Sequence, residues 1–167
     1  MRRIKIIVAD RREIFRRGMV DILRGVPEIE ILTTCESGYE TIEKTKELKP
    51  DVILLDADIT KCDCIEASQS IHNLRPNTRI IILTYSFESK NVLPVFNKAG
   101  ARGYVSKAIS GRGLIESITS VDKGRVFISP LLAAMLIDEL ALLDGSMVAE
   151  KANEVEHNPV LASGYAY

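Results

Sequence analysis

The feature that most constrains this chain is the run Asp51-Val52-Ile53-Leu54-Leu55-Asp56-Ala57-Asp58. Its apolar, partly β-branched core reads as a strand buried on both faces, as strands of parallel sheets are. The run then stops on a carboxylate. Open α/β sheets bind their ligands outside the carboxyl ends of the strands, so Asp56 either caps a loop or belongs to a site. The rest of the chain bears on which.

Ile4 to Ala9 predicts a first strand, and it too ends on an acid, Asp10. Ile14, Phe15, Gly18, Met19, Ile22 and Leu23 recur at helical spacing and predict one apolar helix face, closed by Gly25 to Pro27. Ile29 to Thr33 reads as a second strand and Tyr39 to Leu48 as a polar helix opened by Ser37-Gly38. After the strand ending at Asp56, Ile65, Ser68, Ile71 and Leu74 mark a third helix. Arg79 to Thr84 is a fourth strand, and Lys90 to Lys98 a fourth helix. Gly103 to Ser106 is a fifth strand delivering Lys107, and Leu114, Ile115, Ile118 and Val121 mark a fifth helix. Five such units with short connections predict an α/β fold, a doubly wound parallel five-stranded sheet with helices on both faces.

Beyond Gly124, Val126 to Ile128 reads as a short extended piece, and Ser129-Pro130 opens a helix by cap and first-turn proline. Leu131 to Leu143 is apolar around most of its circumference, which calls for a covering surface. The expected organisation is a main domain over residues 1–124, an extension and linker helix over 125–144, and a flexible tail over 145–167.

Composition excludes several classes. The 167 residues suffice for one domain and a little more, and a net charge of −1 argues against a generic polyanion binder. The basic N-terminal stretch, Arg2 to Arg24, reads as a solvated helix face. Cys35, Cys62 and Cys64 are odd in number and lack CxxC spacing, so neither a disulfide framework nor a zinc site is indicated. No apolar run reaches spanning length and no charged-then-apolar leader opens the chain, so a cytoplasmic protein without membrane contact is expected.

The strand ends carry matching chemistry: Asp10, Asp56, Thr84 and Lys107. In a sheet of order 2-1-3-4-5 they lie side by side. Two carboxylates, a hydroxyl and an ammonium suit an aspartate that accepts a phosphoryl group. Asp56 is then the nucleophile, with a divalent cation held by acids to neutralise incoming charge. Thr84 donates to one phosphoryl oxygen and Lys107 pairs with another.

Four segments carry a family resemblance. They are Val8-Ala9-Asp10 with Phe15-Arg16, Pro50 to Asp56, Ile82-Leu83-Thr84, and Gly100 to Lys107. Over about Arg3 to Gly124 the chain resembles the receiver domain of bacterial two-component response regulators, which implies a flavodoxin-like fold. Gly100 to Lys107 and Gly124-Arg125-Val126-Phe127-Ile128-Ser129-Pro130 are similar to the NarL/LuxR-type subgroup. The resemblance implies Asp56 as phosphoacceptor, Thr84 as switch hydroxyl, Lys107 as phosphate-binding lysine and Tyr104 as switch aromatic. It implies Mg²⁺ as cofactor, a histidine kinase as phosphodonor, homodimerisation and a signalling rather than enzymatic role. DNA contact would come only through a C-terminal helix-turn-helix, and nothing after Ser146 reads as one, so a truncated regulator is expected.

The departures matter. The family usually has two consecutive acids after the first strand, and Arg11 takes the second place. Magnesium wants oxygen ligands, so Asp10 and Asp56, helped by Asp58, are expected to hold it more weakly. Arg11 either pairs with Asp56 or points to solvent. At ~4 Å and an effective dielectric near ~20, a guanidinium and a unit charge interact by about 4 kcal/mol. Thr60 replaces a usual proline and Cys64 a common glycine, which asks for a different turn. Tyr85 is bulky beside Thr84 and is expected to restrict access to the site. Two further readings remain beside the phosphorylated switch. One is a phosphorylation-independent receiver serving as a constitutive dimerisation or docking module. The other, a nucleotide- or flavin-binding enzyme, lacks G-x-G-x-x-G and a P-loop lysine.

Overall fold

The computed structural model describes residues 2–85, 100–135, 137, 138 and 141. Its strands are β1 (Ile4–Ala9), β2 (Ile29–Cys35), β3 (Val52–Asp56), β4 (Arg79–Thr84), β5 (Gly103–Ser106) and β6 (Phe127–Ile128). The described helices between them are α1 (Glu13–Arg24), α2 (Gly38–Leu48), α3 (Cys64–Leu74) and α4 (Gly111–Asp122). The strands form one parallel sheet in the order β2-β1-β3-β4-β5-β6. The expected five strands and their order are present, and β6 adds a sixth at the β5 edge. A two-residue strand has too little sequence to declare itself, since its pairing with β5 is what makes it one.

The sheet is buried on both faces because its central strands are apolar over Ile6 to Ala9, Val52 to Leu55 and Ile80 to Leu83. Ile6, Val8, Leu54 and Leu83 pack with Met19, Leu23, Ile118 and Val121 of α1 and α4. The alternate residues Ile7, Ile53, Leu55 and Ile82 are equally buried on the side of α2 and α3. Each fully buried Ile or Leu contributes ~1.5–3 kcal/mol, and this continuous core holds the strand ends in place.

Two helix faces differ from the sequence expectation. On α1 the buried residues are Arg16, Met19, Val20 and Leu23, while Ile14 is 89% exposed and Ile22 46%. The apolar arc of α1 is wider than the sheet covers, and its surplus lines a groove toward α4. On α3 Ala67 joins Ser68 and Ile71 inside, while Leu74, in the last turn, is half exposed. The expected helix at Lys90 to Lys98, residues 136, 139, 140, 142 and 143 of the apolar helix over 131–143, and the tail over 145–167 lie outside the described residues.

A compact unit spans Met1–Leu132, so β6 and the residues just after it are part of it. Residues 133–167 form a second unit, in which 133–135, 137, 138 and 141 are helical. Among the described residues no helix is long and apolar enough to cross a membrane.

Local signals explain most helix starts. Ser37 accepts from the Glu40 amide to cap α2, and the Glu40 carboxylate reaches back to the Glu36 amide at 2.7 Å. Asp63 accepts from the Ile65 and Glu66 amides, each at 2.9 Å, to cap α3. Gly38 has a different role. A Cβ there would stand 2.5 Å from the Cys62 carbonyl oxygen, because α2 begins against the loop that follows β3. Gly38→Ala is therefore expected to destabilise the fold by ~1–3 kcal/mol, since backbone has to move. Urea unfolding checks this, and an unchanged midpoint would show that the approach is looser than described.

Candidate functional site

The register of the sheet brings the chemistry together. Ala9 pairs with Leu55, Asp56 with Leu83, and Thr84 with Ser106, so Asp10, Asp56, Thr84 and Lys107 emerge at one edge. All four are buried. The Lys107 ammonium lies 2.6 Å from Asp10 Oδ2 and 2.6 Å from Asp56 Oδ1, with all three side chains fully buried. The site is thus a closed ionic cluster with one cation shared by two strand-end acids.

Each member is held from outside the cluster. The Arg12 amide donates to Asp10 Oδ1 at 2.8 Å, which seats the carboxylate at the N-terminus of α1, where the helix dipole favours negative charge. The Arg12 guanidinium adds a longer contact of 3.9 Å to the same oxygen. Arg16, itself buried, donates to the Asp10 carbonyl at 2.6 Å and to Glu36 Oε1 at 2.8 Å. The Asp58 amide donates to Asp56 Oδ1 at 3.2 Å. Lys107 is fixed through its backbone as well, its amide donating to the Thr84 carbonyl at 2.7 Å.

Asp56 Oδ2 is buried and has no hydrogen-bond partner. A buried carboxylate oxygen left so costs free energy unless something else supplies a donor, a cation or a bond. This atom is where the site is incomplete.

Two aromatic rings flank the ammonium. Lys107 Nζ lies 4.6 Å from the Phe15 ring centre and 5.3 Å from that of Tyr85. The rings meet edge to face at 5.9 Å, and the Arg12 guanidinium sits 4.5 Å from the Tyr85 centre. Such contacts stabilise a cation by ~0.5–2 kcal/mol each. They also put Tyr85 beside the site, on a rim continuous with an apolar cavity of about 680 Å³ between α1 and α4.

The remaining sequence candidates fall as follows. Asp58 is exposed in the turn after β3 and reaches the site only through its amide. Tyr104 is buried on β5, between Ile82 of β4 and Ile128 of β6. Arg11 is exposed and forms no ion pair with Asp56, so of the two orientations open to it the structure takes the solvent one. The unusual turn before α3 is made at Lys61, with φ of 61°, while Cys64 is helical.

Sequence reasoning missed Arg12, Phe15 and Arg16 as site residues. Arg12 and Arg16 sit in a basic run indistinguishable from a solvated face, and only the return of β1 against α1 gives them partners.

Two carboxylates meet here, and among the described residues no group of three or more His, Cys, Asp or Glu converges. With Lys107 Nζ between Asp10 and Asp56, and Asp58 turned out, this arrangement does not fit a magnesium ion. The cation position is taken by the lysine.

The thiols near the site are quiet. Burial pushes Cys35 up to about 12, and burial with the Asp63 and Asp56 carboxylates pushes Cys64 up to about 11.

A family model for the response regulator receiver domain matches residues 6–119. The transcriptional regulatory protein LnrK of Bacillus subtilis is 30% identical over 155 residues, which cover 91% of this chain and 70% of that protein. DegU of Brevibacillus brevis is 31% identical over 137 residues, covering 82% of this chain and only 58% of that protein. A LuxR-family response regulator from Aurantimonas sp. superposes with a TM-score of 0.77 at 27% identity, covering 82% of this chain and 97% of that one.

Two outcomes are expected from the geometry. Lys107→Met leaves buried acids without their cation and is expected to destabilise the fold by ~3–5 kcal/mol in urea unfolding; a loss under ~1 kcal/mol would mean the cluster opens to water. A thiol whose folded pKa lies above the 9.0 of a free one adds stability below pH 9 and loses it as pH rises through about 11. Cys64 is therefore expected to resist alkylation at pH 8 and to react as pH nears 11. Rapid labelling at pH 8 would contradict this.

Proposed function

The chain belongs to the response regulator receiver-domain family, and on that premise we propose that Asp56 accepts a phosphoryl group and that Lys107 senses it. The observation that carries this reading is the unpartnered, buried Asp56 Oδ2 beside an ammonium 2.6 Å from the other carboxylate oxygen. Oδ2 has a lone pair with no donor to hold it, which makes it the nucleophilic oxygen.

The step balances simply. Asp56 Oδ2 attacks phosphorus, and the P–N bond of a phosphohistidine, or the P–O bond of acetyl phosphate, breaks. The leaving imidazole or acetate takes the bonding pair, and Asp56 becomes an acyl phosphate. Lys107, already seated between the carboxylates, is placed to pair with the phosphoryl oxygens as they arrive. Thr84, at the neighbouring strand end, is the switch hydroxyl, and Tyr104, buried between β4 and β6, follows it. Asp56 is fully buried and Tyr85 lies beside its lysine partner, so the donor gains access only as the site opens. The donor is a histidine kinase and the setting cytoplasmic. The output is dimerisation coupled to a LuxR-type DNA-binding domain beyond the compact unit that runs to Leu132, through the linker that follows it.

One observation favours a second reading, a constitutive dimerisation or docking module. Lys107 already neutralises Asp56, and Arg11 stands where the second acid would be.

Intact-mass measurement after incubation with acetyl phosphate separates the two. The expected result is a single phosphate-sized gain, absent in Asp56→Asn and present whether Mg²⁺ or a chelator is added. A gain that appears only with Mg²⁺ would mean Lys107 yields its place to the metal. No gain under either condition would leave the constitutive module as the reading.

A further inference from the structure

Three consecutive amides at the end of β5 have fixed acceptors, two of them outside β5. The Ser106 amide donates to Ser129 Oγ at 3.1 Å. The Lys107 amide donates to the Thr84 carbonyl on β4 at 2.7 Å. The Ala108 amide donates to Ser106 Oγ at 3.2 Å. The first is unusual, because in a parallel ladder that acceptor is a carbonyl of the next strand.

The reason lies in β6. Its ladder runs through the Phe127 amide, which donates to the Arg102 carbonyl at 2.9 Å, and the Ser129 amide, which donates to the Tyr104 carbonyl at 3.0 Å. It ends there because the chain turns into a helix at Pro130. The Ser129 hydroxyl takes the place of the next carbonyl. Ser129 is buried, as is Leu132 in the following turn, so the start of the C-terminal helix is fixed against the main domain at two points.

We propose that Ser129 is a positioning residue that couples Lys107, and through it the charge on Asp56, to the helix beginning at Pro130. Lys107 is gripped at both ends, by two carboxylates at its ammonium and by β4 at its amide. When the charge on Asp56 changes, the pull on that side chain reaches the backbone at residues 106 and 107. Residue 106 is tied directly to the first cap of the helix. A one-atom link between site and helix needs no rearrangement of the sheet to carry the signal. The proposal builds on the reading of Asp56 as the switch position, yet its test needs no phosphorylation.

The experiment is backbone amide exchange on the full chain, in wild type, Asp56→Asn, Ser129→Ala, the double variant and Ser129→Thr. Ser129→Ala is expected to speed exchange at the Ser106 amide by about fivefold, the effect of one lost hydrogen bond. Asp56→Asn is expected to change exchange across residues 130–138 by about threefold or more, beyond the scatter of independent sites. In the Ser129→Ala background that change is expected to vanish, and Ser129→Thr, which keeps the hydroxyl, retains it. The same change with and without Ser129 would give the hydroxyl a merely structural role and overturn the proposal. If Ser129→Ala fails to fold, Asp56→Asn alone decides: altered exchange at both Ser106 and residues 130–138 supports the link, and altered exchange at neither overturns it. Failure of Asp56 to take a phosphoryl group counts against the function proposed above and leaves this coupling standing.

Discussion

One buried ammonium organises the chemistry that the whole sheet converges on. Lys107 Nζ is shared by Asp10 and Asp56, and these three groups come from the ends of β1, β3 and β5. Formally the cluster has one more negative than positive charge. The excess is met by the amide at the start of α1 and the Arg12 guanidinium. Buried ions are stable only when geometry is good and remaining lone pairs are satisfied. Here one lone-pair site, Asp56 Oδ2, is not. The fold tolerates the deficit because the apolar sheet beneath holds the strand ends in register.

That register is where sequence, packing and chemistry meet. Strands buried on both faces leave no position for a charge except their ends, so the acids and the lysine gather at one edge. A one-residue slip of β3 would turn Asp56 into the layer of α2 and α3 and carry Leu55 to the other face. Both faces of β3 are apolar and closely packed, so such a slip would disturb the packing on either side as well as the cluster. The hydrophobic core therefore positions the site, and the site does not hold the core together.

The sequence made the strands and the strand-end chemistry legible because both are local: apolar runs of four to six residues and the residue that follows each. The face of α1 was less legible. Ile14 and Ile22 fit the helical period as well as Met19 does, and only the width of the sheet decides which are covered. β6 was legible as extended but not as paired, since its partner is more than twenty residues away. Arg16 and Ser129 were not legible at all as parts of the site. A buried arginine in a basic run and a serine before a proline have ordinary local explanations, and their partners, the Asp10 carbonyl and the Ser106 amide, are backbone atoms that sequence does not display.

Arg11 shows how one substitution redistributes a site's charge without contacting it. An acid at that position would add a third carboxylate to a pocket that already has two, and a divalent ion would be the natural answer to that much negative charge. With arginine there, turned to solvent, the pocket keeps only two acids, and a single lysine can span them. The side chain that would pair with an incoming phosphoryl group then already compensates the resting carboxylates. Moving it changes the charge balance of the resting site as well as of the modified one. On the proposed phosphorylation of Asp56, the energy available for switching would be the difference between two lysine-paired states, which is smaller than the full attraction of an ammonium for a phosphoryl group. The coupling proposed between Lys107 and the C-terminal helix would run through the fixed Ser106 and Lys107 amides at the end of β5.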